Sequence, residues 1–113
     1  MMNVKKFTNF VLIQEDQNQT VLTFSEEIEL LISKEYKENN VVIDLLKYKD
    51  MPFEDLLLFL KMSNTHRAAK KSFVMVNDAI AIDSIPDELI VVPTVQEAED
   101  IIEMEEIERD LGF

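Results

Sequence analysis

Apolar residues along the chain fall in short runs whose spacing changes from one run to the next. FTNFVLIQ (7–14) predicts a strand, EDQNQ (15–19) a polar turn, and TVLTF (20–24) a short strand or extended approach. Ser25 follows as an N-cap, with Glu26 and Glu27 in the first turn, where carboxylates favour the helix dipole. Ile28, Leu31, Ile32 and Tyr36 then share one helical face, and KENN (37–40) ends it. VVIDLL (41–46) is nearly continuous in apolarity and β-branched at its start, the pattern of a strand covered by helices. Pro52 suits the first turn of a helix running to about Ala69. SFVMV (72–76) predicts another strand, NDAIAIDSIPDE (77–88) a connection with at most a turn of helix, and LIVV (89–92) a closing strand. Thr94 and Glu97 form a T-x-x-E capping box that opens the last helix.

Strands alternating with helices at this spacing predict an α/β fold: a mixed, partly parallel sheet of four to five strands with three to four helices, joined by right-handed crossovers. The 113 residues suit one domain with one core. Charge narrows the partners, because 23 acidic residues against 11 basic ones give a net charge of −12. Such a surface repels phosphate backbones and anionic membranes, so neither nucleic acid nor membrane is expected. The absence of cysteine excludes disulfides and thiolate metal sites and fits a reducing compartment. No run reaches the ~18 apolar residues of a membrane span, and MMNVKKFTNF lacks a signal-peptide apolar region, so a cytoplasmic protein is expected.

Candidate chemistry is sparse. Gly112 is the only glycine, which excludes a glycine-rich phosphate loop and a dinucleotide fingerprint. His66 is the only histidine, read as a solvated helix-end residue whose protonated form the dipole favours. Lys61, Arg67, Lys70 and Lys71 give the same helix end one positive patch. Glu99, Glu103 and Glu106 share a helical face, but a straight helix supplies few of the six or more oxygens that calcium or magnesium takes. Asp44, Asp50, Glu54 and Asp55 come without a recognisable substrate-binding signature. No catalytic residue, metal or cofactor is expected.

The placement of apolar residues on the helices is more informative. Advancing about 100° per residue from Val95, Ala98 and Ile102 cluster on one side of the last helix, and Met104, Ile107 and Leu111 on nearly the opposite side. One straight helix cannot bury both stripes against one sheet. Either the chain bends near Glu103 and folds back, or the second stripe meets a second copy or another protein. Phe113, after the helix stop at Gly112, adds an aromatic anchor. On the central helix, Phe53, Leu56, Leu57 and Leu60 form the expected core stripe, with Leu58 and Met62 pointing away from it. The chain thus divides into a domain over 1–103 and an amphipathic tail over 104–113 that continues the last helix.

From Val41 to about Ala98 the chain resembles a STAS domain, the fold of anti-sigma-factor antagonists and of sulfate-transporter regulatory tails. The resemblance rests on the strand VVIDL, a helix starting shortly past Asp44, the strand FVMV, and LIVVPTVQEA as last strand and following helix. Counting from Asp44, the family's aspartate-serine-serine-glycine motif falls on Pro52, Phe53, Glu54 and Asp55. The second serine is the antagonists' phosphorylation switch, so the resemblance places Glu54 at the phosphoserine position and leaves no group to phosphorylate there. A glutamate holds about one negative charge where phosphoserine holds nearly two. What the resemblance implies is a non-enzymatic regulatory protein acting through protein contacts, with an anti-sigma-factor-like kinase or a second copy of itself as partner. Its expected contact surface joins Asp50, Pro52, Phe53, Glu54, Asp55, Leu58 and Met62 with Met104, Ile107, Leu111 and Phe113 of the tail. The alternatives are a homo-oligomeric scaffold subunit whose C-terminal helix docks on its partner and, further off, an enzyme using a carboxylate-bound metal.

Overall fold

The computed structural model describes residues 2–112. In chain order the elements are β1 (Met2–Lys6), β2 (Val11–Glu15), α1 (Val21–Leu31) running into a π-turn (Ile32–Tyr36), and β3 (Val41–Asp44). Next come α2 (Phe53–Leu56), a 3-10 turn (Leu57–Phe59) and α3 (Leu60–Ala68) without interruption, then β4 (Phe73–Val76), a 3-10 turn (Ile82–Ser84), β5 (Val91–Val92) and α4 (Val95–Asp110). The fold is α/β with a five-stranded mixed sheet in the order β1-β2-β3-β4-β5. β1 pairs antiparallel with β2, and β2 through β5 are parallel. Among the described residues no helix is long and apolar enough to cross a membrane.

Side chains alternate between the two faces of the sheet, as the pleat requires. Val11, Ile13, Val41, Ile43, Phe73 and Met75 pack into one core with Phe24, Ile28, Leu56 and Phe59 of the α1 and α2–α3 crossovers. Leu12, Val42, Val74 and Val76 face the other way and meet Ala98 and Ile102 of α4. Registers such as Val42 beside Val74 carry this alternation from strand to strand. The hairpin carries Asn3, Lys5 and Gln14 in the alternate positions, so the α4 side of β1 is polar.

The N-terminal third departs from the pattern read in sequence. TVLTF is helical: Thr20 caps α1 by accepting from the Thr23 amide at 3.2 Å, and Ser25 lies inside the helix, donating to the Leu22 carbonyl at 2.7 Å. Val21, Phe24 and Ile28 recur at helical spacing across the expected boundary and are all buried. Burial at about 1.5–3 kcal/mol per large side chain outweighs the few tenths of a kcal/mol by which Val, Thr and Phe disfavour helix. The strand expected over 7–14 starts only at Val11, and its hairpin partner is the polar MNVKK segment. A tight turn joins the two, closed by the Phe7 amide donating to the Phe10 carbonyl at 2.8 Å, with the two rings stacked at 4.8 Å.

The central helix is rotated from the expected phase. Leu56 is buried and Leu60 packs against the core as expected, but Phe59 and Met62 are also buried and Leu58 packs against the same core, whereas Phe53 is 43% and Leu57 46% exposed. The 3-10 turn accounts for the rotation, since three residues per turn advance the chain by about 120° each instead of 100°. Leu58 and Met62 therefore belong to the core side, not to the outward side expected for them.

Candidate functional site

The expected contact residues that lie outside the core fall on two surfaces, and the sheet separates them. The first lies at the C-terminal ends of the parallel strands, where open α/β sheets bind ligands and partners. There the β3–α2 connection is tied to both neighbouring strands. The Glu15 carboxylate, at the end of β2, accepts from the Gln17 and Gln19 amides at 2.7 and 3.0 Å and from the Lys47 ammonium. On the other side the Asn77 amide group donates to the carbonyls of Leu45 and Tyr48 at 2.9 and 3.1 Å. The Tyr48 hydroxyl donates to the Gln19 carbonyl at 3.0 Å. These ties fix where α2 begins. Pro52 precedes its first residue, and the Asp55 amide donates to the Pro52 carbonyl at 3.0 Å. Asp50, Pro52, Phe53 and Glu54 are exposed and Asp55 is half-buried, so the stretch presents an aromatic ring beside the acidic first turn.

Glu15 is the strongest electrostatic feature of this end. Burial by itself pushes its carboxyl up, but the Lys47 hydrogen bond, the Gln19 and Gln17 amides and the Lys47 charge together outweigh it and bring the pKa to about 2. Burial, with the Glu15 charge adding to it, pushes the Tyr48 hydroxyl up to about 12. With the folded-state pKa below the ordinary 4.5, Glu15 contributes stability that is complete above that value and is lost as pH falls from 4.5 toward 2. Lys47→Ala leaves the buried carboxylate without its countercharge. Because the lysine itself is a third exposed, the expected loss at pH 7 is about 2 kcal/mol, below that of a fully buried pair, read by urea denaturation. A midpoint equal to that of the wild type would show that Gln17 and Gln19 alone satisfy Glu15.

His66 is not the solvated residue expected at a helix end. It is 4% exposed, its Nε2–H donates to the Asn39 carbonyl at 2.6 Å, and its ring meets the Phe73 edge at 6.1 Å. Burial pushes its pKa down, the Asn39 carbonyl opposes this, and the charges of Lys71 and Arg67 add to the lowering. The imidazole is therefore neutral near pH 7 and sits in the core with its proton on Nε2. Since the unfolded chain titrates near 6.5, stability is complete above that pH and declines as pH drops below it. As the only histidine, it gives one set of imidazole resonances, whose NMR titration midpoint is expected below 6.5. A midpoint at or above 6.5 would contradict the buried, neutral assignment.

The second surface is the outer side of α4. The helix runs through Glu103 without bending back, and the inward side of its second half is polar. Glu105 accepts from Arg67 and from the Ser72 hydroxyl, both at 2.5 Å. Glu106 accepts from the Asn40 amide group at 3.0 Å, and Arg109 donates to Asn40 Oδ1 at 3.3 Å and to Ser72 Oγ at 3.1 Å. This network docks the helix end beside the starts of β3 and β4 and turns the second apolar stripe outward. Met104, Ile107 and Leu111 are 52%, 61% and 67% exposed. Phe113, assigned to the same stripe, lies outside the described residues.

Pro52–Asp55 and Met104–Leu111 therefore do not form one continuous surface. The first group stands at the C-terminal ends of the strands on the α1 and α3 side, and the second at their N-terminal ends on the α4 side. Among the described residues no three His, Asp or Glu side chains gather as metal ligands, and Glu106 is engaged by Asn40 rather than grouped with Glu99 and Glu103. Glu15, Lys47, Asn40 and Asn77 were not singled out in the sequence. Each borders a strand, where a polar residue reads the same whether it binds water or a distant backbone. No protein-family model matches the chain, and no curated protein matches it in sequence.

Proposed function

We propose that this is a non-enzymatic, cytoplasmic, STAS-like regulatory protein that works by binding another protein, and that α4 supplies the principal contact. The observation that carries this reading is the line Met104, Ile107, Leu111, exposed on a helix whose opposite side is anchored by Ile102 and the Arg67–Glu105–Ser72–Asn40 network. Apolar side chains on a rigid helix lose little entropy on binding and suit helix-to-helix recognition.

Charge selects the partner. Along VQEAEDIIEMEEIERD, α4 carries eight acidic residues and one arginine, so a second copy packed on the same stripe would set carboxylates against carboxylates. A basic segment with apolar residues at helical spacing fits instead. An anti-sigma-factor-like kinase presenting such a segment is the partner implied by the STAS reading. Glu54, exposed on the first turn of α2, gives that reading a fixed charge in place of a phosphorylation switch.

The test is affinity capture with wild-type protein and with the double variant Ile107→Asp, Leu111→Asp, both first shown to share one melting temperature. Losing two apolar anchors is expected to weaken partner binding about 100-fold, and raising salt is expected to weaken the wild-type complex. Sedimentation is expected to show a monomer at micromolar concentration. Equal capture by the two proteins, or a dimer that the double variant abolishes, would overturn the α4 contact with a basic partner.

A further inference from the structure

Between α1 and α3, on the side of the sheet away from α4, lies a cleft of about 600 Å³, within the range of small-molecule sites. It borders a local irregularity, whose first residues Ile32 and Ser33 line it. At Ile32 the helix leaves α geometry and continues as a π-turn to Tyr36. The wider winding moves the helix end off its regular path, and π-turns of this kind recur at ligand sites. The cleft is apolar within, where Ile32, Met62 and the neutral imidazole of His66 line it.

Its rim is different in kind. Lys37 stands just past the π-turn, Lys61 near the start of α3 and Lys71 just past its end, so three separate points of the chain bring a lysine to the cleft. Among the described residues none of the three is in an ion pair, although the molecule has a net charge of −12. Glu29 and Glu38 also border the cleft and leave the rim positive by one charge. A ligand that fits both parts has a hydrocarbon portion for the interior and an anionic head for the lysines.

We propose that this cleft binds a small amphipathic carboxylate, with its chain against Ile32 and Met62 and its head between the rim lysines. A ligand with a cationic head would meet an excess of positive charge, three ammonium groups against the two carboxylates of Glu29 and Glu38. The site is independent of the α4 contact, which lies across the sheet.

The probe is decanoate, added to the full-length protein below its micelle concentration and followed through the Met62 methyl and His66 imidazole NMR signals. Saturable shifts are expected with a Kd on the order of 100 μM or tighter, and decyltrimethylammonium is expected to bind at least tenfold more weakly. Lys61→Glu with Lys71→Glu is expected to weaken decanoate about tenfold. Met62→Trp, which fills the cleft, is expected to abolish binding while the backbone spectrum stays dispersed. The Ile107→Asp, Leu111→Asp protein is expected to bind decanoate as the wild type does, which separates this site from the α4 surface. Absence of saturable shifts, equal response to the two head groups, or undiminished binding by a folded Met62→Trp protein would each overturn the proposal.

Discussion

Phe59→Ala is expected to lower the stability of the protein by about 4 kcal/mol, whereas Leu57→Ala, two residues earlier, is expected to change it by no more than ~0.5 kcal/mol. Phe59 is fully buried at the close of the 3-10 turn, in the core formed with Phe24, Ile43 and Leu56. Removing its ring loses the transfer free energy of the side chain and leaves a cavity that the surrounding strands cannot close. Leu57, on the outer side of the same turn, loses only a half-exposed side chain. The contrast separates two phases of one helix. A regular α-helix with Phe53, Leu56, Leu57 and Leu60 as its core stripe would make Leu57→Ala the costly change. Urea denaturation of the two variants decides between them, and a loss below ~1 kcal/mol for Phe59→Ala would remove the ring as the anchor of the turn. Against a total stability of about 5–15 kcal/mol for a chain of this size, the expected loss is large enough to show as a shifted midpoint even if the slope changes.

The same turn shows why some of the fold was legible in sequence and some was not. β3 and β4 are buried on both faces, so their unbroken apolarity identified them as strands, β3 as one covered by helices. The T-x-x-E signal located the start of α4 because capping is a local interaction, and the Glu97 amide does donate to Thr94 Oγ1 at 3.1 Å. β1 gave no such signal, since an edge strand with only Met2 and Val4 toward the core is mostly polar. The start of α1 was displaced because β-branched and aromatic residues are shared by strands and buried helices, and tertiary packing decides between them. The second half of α4 was left open for a different reason. Helical spacing set its apolar stripe opposite the core side but not what docks the helix there, and those inward contacts are made by Glu105, Glu106 and Arg109, whose partners Asn40, Arg67 and Ser72 lie far away in sequence. Of the candidate surface, the outward direction of Met104, Ile107 and Leu111 followed from helical spacing, and the network that fixes it did not.

Asn40 is where that network meets the sheet, and Asn40→Ala is expected to cost about 3 kcal/mol. Its side chain is buried and makes four hydrogen bonds: Nδ2 to the Asn9 carbonyl at 2.9 Å and to Glu106 at 3.0 Å, and Oδ1 from the Ser72 amide at 2.8 Å and from Arg109 at 3.3 Å. Alanine leaves the Ser72 amide and the Asn9 carbonyl without those partners, and each such loss costs about 1–3 kcal/mol. The effect is expected to be uneven. Amide hydrogen exchange should accelerate most in the last two turns of α4, and less in β3 and β4, whose ladder bonds remain. Asn40→Asp tests the donor separately, because it keeps the acceptor for Ser72 and Arg109 but turns a carboxylate toward Glu106 and the Asn9 carbonyl. Its stability at pH 7 is expected to fall at least as far as that of the alanine variant and to recover in part as pH drops into the carboxylate range. Uniform exchange across the molecule, or an aspartate variant as stable as the wild type, would show that α4 is held by Ala98 and Ile102 alone. If the network holds it, loosening Asn40 also disorders the line of Met104, Ile107 and Leu111. Partner binding should then weaken in the Asn40 variants although no residue of the contact has changed.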